Sequence, residues 1–456
     1  MKVILSALVC LALVAGCGAA PKADPTATPR PLEPVITDTT GGPESSPTPG
    51  SALPINPTPT PNLSSGNPVQ VTELKYFQLD NQLTVAAKLH NQLSDAIIRN
   101  LRVEILAKDA NGNRLEQIIE EIRYLFEEET TGIVRVLDLQ AGATAESIEV
   151  RVTGGLVERS LKVTQPFELT HATFFAGLPT PIMTAWLNNR DAATYTNVSV
   201  NAIAYNALGE IVGAGNSVAA FAPGEDRIGV STPSAFIDEP ARVEFYAWLG
   251  NRSAALQPGS WWDTIAVRDW NYVITPQNFI SGGAILENKT KETLSDNFFI
   301  VTVFDELGQV CLVHQGMLDA LWPEEQAVYS PGELYAPTDS SPKYVDFIVV
   351  PGEFRTHQLA FNPLNASQAA VLLNEDNTLA QVSVVNNLNA AISPVLVSII
   401  AKDAQGRIVG GASGAIPTIG AYASETAQFP LTLIGPVEAI TLEASATIPG
   451  WAIIGN

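Results

Sequence analysis

Four times in this chain one phrase recurs at an almost constant interval. It reads apolar alternation, Asn, a polar patch, about six alternating β-formers, then an Asp/Asn-x-x-Gly turn. The turns are Asp109-Ala110-Asn111-Gly112, Asn206-Ala207-Leu208-Gly209, Asp305-Glu306-Leu307-Gly308 and Asp403-Ala404-Gln405-Gly406. Their glycines stand 97, 99 and 98 residues apart. A solenoid unit is shorter than this, so a period near 98 describes small domains in tandem.

Within each period the strands are legible. Leu83 to Asn91 and Leu101 to Asp109 alternate apolar and polar, as do Ile182 to Asn189 and Val198 to Asn206. Gly283 to Asn288 with Phe299 to Asp305, and Gln381 to Asn386 with Val395 to Asp403, repeat the pattern. Period-two patterning in β-branched residues predicts strands, and the Asp/Asn-x-x-Gly ending supplies a turn into the next one. A second landmark follows: Phe126-Glu127-Glu128-Glu129, Phe221-Ala222-Pro223-Gly224-Glu225, Leu321-Trp322-Pro323-Glu324-Glu325 and Ile419-Gly420-Ala421. Closing strands are expected at 148–152, 243–246, 345–348 and 439–442. Short strands with turns between them predict an all-β chain of four tandem β-sandwich domains at 68–164, 165–269, 270–360 and 361–456. One stretch pulls the other way. Leu115, Ile118, Ile119, Ile122, Leu125 and Phe126 fall on a helical period. The repeat register demands two strands there, and the register takes precedence.

The N-terminus bears on location. Val3 to Ala15 is an apolar run too short to span a bilayer but suited to a signal-peptide core. It ends in Val14-Ala15-Gly16-Cys17, which resembles a bacterial lipobox. That resemblance implies cleavage after residue 16 and a diacylglyceryl anchor on Cys17, placing the protein on the extracytoplasmic face of a cell membrane. Residues 17–67 are then a linker: rich in Pro, Thr, Ser and Gly and free of aromatics up to Pro68, they cannot bury a core. An extended polyproline chain of that length reaches on the order of 150 Å.

Charge and cysteine usage narrow the partners. The formal net charge is −22, and Lys2 is the only charged residue that would leave with the signal. Such a surface repels nucleic acid, so the expected partners are the membrane, through the lipid, and an envelope protein or glycan. Of three Cys, only Cys311 would remain unmodified, so no intrachain disulfide is available. Its apolar setting predicts a buried small hydrophobe.

The Tyr205-Asn206-Ala207-Leu208-Gly209 stretch through Pro223-Gly224-Glu225, with Phe304-Asp305-Glu306-Leu307-Gly308, resembles the FxLYD-type domain of bacterial envelope proteins. Repeats 1 and 4 depart from it by placing Lys108 and Lys402 where the aromatic belongs. The resemblance covers most of residues 70–456. It implies immunoglobulin-like or fibronectin-like sandwiches and brings no catalytic residues.

Chemistry-bearing patterns are sparse. His90, His171, His314 and His357 show no metal-ligand spacing, so neither a metal nor another cofactor is expected. Asp109-Ala110-Asn111-Gly112-Asn113 superficially resembles a calcium loop, but its Gly stands at position four and Arg114 at position six, so a β-turn is expected. Trp261 and Trp262, with Trp270, are the candidate binding residues, because exposed Trp suits sugar or protein contact. The sequence therefore predicts a non-catalytic display, binding or spacer protein. The alternative is an envelope enzyme or accessory subunit with an acidic site in one diverged repeat.

Overall fold

The computed structural model describes residues 67–159, 163–256, 264–355, 359, 361–373, 378–434, 440–449 and 453–454, all within one compact unit, Thr58–Asn456. The signal, Cys17 and most of the linker lie outside these residues, as do Trp261 and Trp262. The chain is all-β, with no α-helix among the described residues.

The strands come in four successive sets. The first comprises β1 (Val69–Leu79), β2 (Gln82–Asn91), β3 (Ile97–Lys108), β4 (Arg114–Leu125), β5 (Thr130–Asp138) and β6 (Ser147–Glu158). The second comprises β7 (Phe167–Phe175), β8 (Ile182–Asn189), β9 (Thr194–Tyr205), β10 (Ile211–Ala222), β11 (Arg227–Pro233), β12 (Ala235–Phe236) and β13 (Arg242–Leu256). In the third are β14 (Ile265–Ile274), β15 (Phe279–Asn288), β16 (Thr293–Phe304), β17 (Val310–Leu321), β18 (Gln326–Tyr329), β19 (Glu333–Tyr335), β20 (Tyr344–Val350) and β21 (Glu353–Arg355). The fourth holds β22 (Leu364–Leu373), β23 (Thr378–Asn386), β24 (Ile392–Ser393), β25 (Val395–Lys402) and β26 (Ile408–Ile416). It ends with β27 (Ser424–Pro430), β28 (Thr432–Leu433), β29 (Thr441–Thr447) and β30 (Ile453–Ile454).

One connectivity repeats through all four. The first, second and fifth main strands form one sheet: β1-β2-β5, β7-β8-β11, β14-β15-β18 and β22-β23-β27. The third, fourth and closing strands lie together, with β3, β9, β16 or β25 at the centre, and in the first two sets they join through Gly250 and Ile122 into one seven-stranded sheet. We call these the 1-2-5 and 3-4-6 sheets. Each pair shares a core: Val85 and Leu89 meet Val103 and Ile105, and Leu286 and Tyr329 meet Phe299 and Val301. Val382 and Phe429 likewise meet Val397 and Ile399. Cys311 is fully buried in β17, and burial pushes its thiol up to about 11, so it is an inert hydrophobe at neutral pH.

The recurring turn explains itself. Asp109 Oδ1 accepts the backbone N–H groups of Asn111 and Asn113, at 2.9 and 2.8 Å. Asn206, Asp305 and Asp403 do the same two and four residues on. Each turn glycine has φ between 77° and 81°, a region open to Gly at no steric cost. The oxygen that a calcium reading would spend on a cation is used by the turn itself.

The Asn that closes each second strand has an equally fixed role. Asn91, Asn189, Asn288 and Asn386 are at most 2 % exposed. Each donates its amide to a carbonyl four or five residues on, in Ala96, Ala193, Glu292 and Ala390. The amide also reaches the end of the fourth strand, at Phe126, Ala222, Leu321 and Gly420. Its Oδ1 accepts the N–H two residues ahead. One side chain thus satisfies the polar backbone where the chain crosses between sheets.

Two expectations need correction. Residues 114–125 are one strand, not two, and its helical period has a physical cause. Asn100 in the paired strand has left-handed backbone (φ 51°), and around it the side-chain facing changes, so Ile122 and Leu125 both reach the core. Glu120, which interrupts the alternation, is ion-paired with Arg135. Second, β14 straddles the expected 269/270 division and pairs with β15 along its length, so that division falls before Ile265.

Replacing the crossover asparagine removes a donor pair and an acceptor at once. Asn386→Ala is expected to destabilise the chain by about 2–4 kcal/mol, read by calorimetry as a lowered unfolding temperature.

Candidate functional site

Trp261 and Trp262 lie outside the described residues, and the surfaces that organise the described part of the molecule are the outward faces of its sheets. Alternation assigns them. In β9, Val198 and Val200 point into the core of their own set, while Ile203 and Tyr205 pack on Phe77, Ala86 and Val134 of the first set. In β16, Phe299, Val301 and Val303 point inward, and Ile300 joins the core cluster of the second set. In β25, Ile399 points inward and Ile400 packs on Val328 of the third set. At every junction the 3-4-6 sheet of one set lies on the 1-2-5 sheet of the set before it.

The three junctions differ in chemistry. The first is ionic. The Lys88 ammonium is shared between Glu73 at 3.1 Å and Glu244 at 3.0 Å, with its side chain only 13 % exposed. Tyr205 donates to Glu73 (3.1 Å) and Tyr246 to Glu244 (2.5 Å), while the Arg242 guanidinium lies 3.9 Å from the Tyr205 ring centre. Burial alone would lower the Lys88 pKa, but Glu244, Tyr205 and Glu73 outweigh it and hold the group charged. Burial likewise opposes ionisation of Glu244, yet its bonds from Tyr246, Lys88 and Arg242 hold it down to about 2. Trp248 of β13 completes the junction. It packs in the core of the first set and its indole donates to Gly132 O at 3.3 Å.

The second junction is aromatic. Trp186, 3 % exposed, donates to Gly308 O at 2.8 Å and meets Phe304 edge-on, with centroids 5.7 Å apart. A Cβ on Gly229 would stand 2.4 Å from Thr302 Cγ2, so the two sheets touch without side-chain clearance there. The third is built from small polar groups. Ser281, fully buried, shares its one hydroxyl proton between Gly411 O and Thr432 O, 3.1 Å from each, and accepts from Gly411 N at 2.9 Å. Elsewhere in the same junction a void of about 10 Å³, room for about one water, is lined by Glu325, Asn362 and Ser445 among others.

In the first and third sets the landmark after the fourth strand also serves a junction. Glu129 accepts from Phe126 N at 2.7 Å and from the Gln165 amide at 2.9 Å; Glu325 repeats this with Trp322 N at 2.9 Å and Asn362 at 2.7 Å. Burial raises both carboxyls, Glu129 to about 7, because the two hydrogen bonds only partly offset the lost hydration.

Trp270 sits on strand β14 at the sheet edge, 39 % exposed, its ring 5.9 Å from Phe347 and 6.4 Å from Tyr272. It caps the aromatic core of the third set. Among the described residues no group of three or more His, Cys, Asp or Glu is arranged to hold a metal ion. The residues that organise the junctions, Lys88, Trp186, Trp248 and Ser281, were not singled out by the sequence.

No protein-family model matches the chain, and no curated protein does. Among solved structures it shows a weak similarity to dimeric latent PorU from Porphyromonas gingivalis, at 9% identity and a TM-score of 0.14. That match covers 85% of this chain and spans 33% of the PorU chain, and it supports no conclusion about fold or activity.

Two expectations follow for the junctions. Trp186→Ala removes a buried ring and its hydrogen bond and should cost about 3–5 kcal/mol, seen in calorimetry as earlier melting of the second and third sets together. The raised carboxyl of Glu129 means that the folded chain holds a proton between pH 4.5 and about 7 that the unfolded chain has released. Its contribution is full below pH 4.5 and is lost as pH rises through 7. Glu129→Gln should therefore flatten the melting-temperature profile across that window.

Proposed function

We propose that this chain is a non-catalytic envelope lipoprotein. In this reading four tandem immunoglobulin-like sandwiches are held clear of the membrane by a disordered tether and lipidated at Cys17. Its domains are those read from the repeat, with the second division moved to lie between Leu256 and Ile265. The array acts in display, in binding of an envelope protein or glycan, or as a stiff spacer.

One observation carries this reading. The polar side chains that recur in every unit are used up by the fold: the turn carboxylate or amide caps its own backbone, and the crossover asparagine ties the two sheets together. A repeated active site would instead leave such groups aimed at solvent. Junctions closed by Lys88, Trp186 and Ser281 favour stiffness over a chain of independent beads. The raised carboxyls of Glu129 and Glu325 are a feature an acidic active site would share, but both are bonded inside junctions.

The anchor is tested by fractionating cells that express Cys17→Ala. The variant is expected in the soluble extracytoplasmic fraction with an unchanged melting temperature; retention in membranes equal to the parent would sink the lipoprotein reading. Passing envelope extract over the immobilised chain separates the roles. Specific retention of a protein or glycan assigns binding, and its absence assigns the spacer.

A further inference from the structure

Each set has a mouth where its first strand faces its closing strand across the two sheets, and the four mouths are closed differently. The register makes them comparable. The β1–β2 pairing shifts between Val71 and Glu73, and the β14–β15 pairing shifts between Val267 and Asp269. Just beyond, Leu74 lies opposite Ala87 and Trp270 opposite Ala284, partners that each stand four residues before the crossover asparagine. On the closing strands, the residues opposite the position four before the turn Asp or Asn are Val150, Phe245, Phe347 and Ala444.

In the third set both places hold rings, and Trp270 and Phe347 close the mouth with centroids 5.9 Å apart. In the second, Phe245 and Phe174 pack together on the cluster around Met183. In the fourth, Ala444 and Ala369 are small and both join the common core. The first set has aliphatic Leu74 and Val150 instead, and a groove of about 490 Å³ remains between β1 and β6. Val71, Leu74, Ile148 and Val150 line it, with Glu149 and Arg151 at its rim, and Leu74 is 40 % exposed there. That volume lies within the range of about 300–1,000 Å³ typical of binding pockets. Both β1 and β6 are outermost in their sheets, so each lip presents backbone donors and acceptors that no neighbouring strand pairs.

We propose that this groove docks an extended peptide segment of another protein, one aromatic side chain of which takes the place that Trp270 takes in the third set. The inference rests on the binding role within the proposed function and is independent of the lipid anchor. The third set shows what such a mouth accepts: an indole lying against the closing strand. Four aliphatic side chains give a sugar no ring to stack on, which selects a peptide over a glycan. The guest does not come from the linker, because residues 18–67 contain no aromatic. A second copy of the chain is disfavoured by the net charge of −22, which makes two copies repel. Backbone pairing along a lip supplies affinity and the slot supplies specificity, as in other cases of strand addition.

The test uses the full chain with Cys17→Ala. Saturation-transfer NMR with N-acetyl-tryptophanamide as the probe should show one site with Kd on the order of 1 mM, and N-acetylserinamide should not compete. Short peptides selected on the chain from a random displayed library should share an aromatic at one fixed position and bind at least about tenfold tighter than the amide. Leu74→Trp fills the slot from within and should abolish both interactions without lowering the melting temperature. Should it lower that temperature, Val150→Phe provides the same reading from the opposite lip. Absence of saturable binding by the amide overturns the proposal. So does selection of peptides that share no aromatic, or binding that survives the filled slot. Membrane retention of Cys17→Ala would sink only the lipoprotein reading and leaves these outcomes unaffected.

Discussion

Burial of the central strands β9, β16 and β25 on both faces is the constraint on which the rest depends. A sheet in an isolated two-layer unit needs one apolar face; these three strands have two, one for their own core and one for the preceding set. Once a strand is covered on both sides its neighbours must be flat and small where the layers meet, which is why Gly229 and Gly411 stand at the contacts. The hydrophobic effect then acts across set boundaries as it does within sets, and the core of the first set accepts Trp248 from the second.

This arrangement makes the distinction between core and interface one of degree. Tyr205 and Phe221 are as buried as any residue in the molecule, yet one serves a junction and the other a core. Stability is therefore shared between neighbours, as in repeat proteins whose units are marginal alone. The polar groups that must be buried in such a stack are met by short, local devices: an Asx-capped turn at one end of the strands and an asparagine at the other.

Much of the fold was legible because it rests on local rules. The Asp/Asn-x-x-Gly spacing announced four strand pairs, and the alternation located strands β2, β3, β23 and β25. The crossover asparagine stood in the repeated phrase, but sequence alone gives no reason to bury an amide. What defeated sequence reasoning was parity. Around Asn100 a left-handed residue shifts the facing, so Leu115 to Phe126 mimics a helix while pairing as a strand. The junctions left a trace that is readable in retrospect: Phe298-Phe299-Ile300-Val301 is apolar without alternation, the mark of a strand covered on both sides. Lys88 left none, because a lone lysine on an alternating strand reads as solvent-facing until Glu73 and Glu244 are seen beside it.

The unlike junctions make the order of the units part of the information the chain carries. An ammonium meets carboxylates at the first, an indole meets a backbone carbonyl at the second, and a serine meets glycine at the third. In the third set Phe304 and Tyr344 hold the paired places that Tyr205 and Arg242 hold in the second, so exchanging the two sets would take the Tyr205 hydroxyl from the Lys88–Glu73 cluster. Four sets that look alike in register are thus keyed to their places, and a set moved to another position would lose the contacts that close its junction.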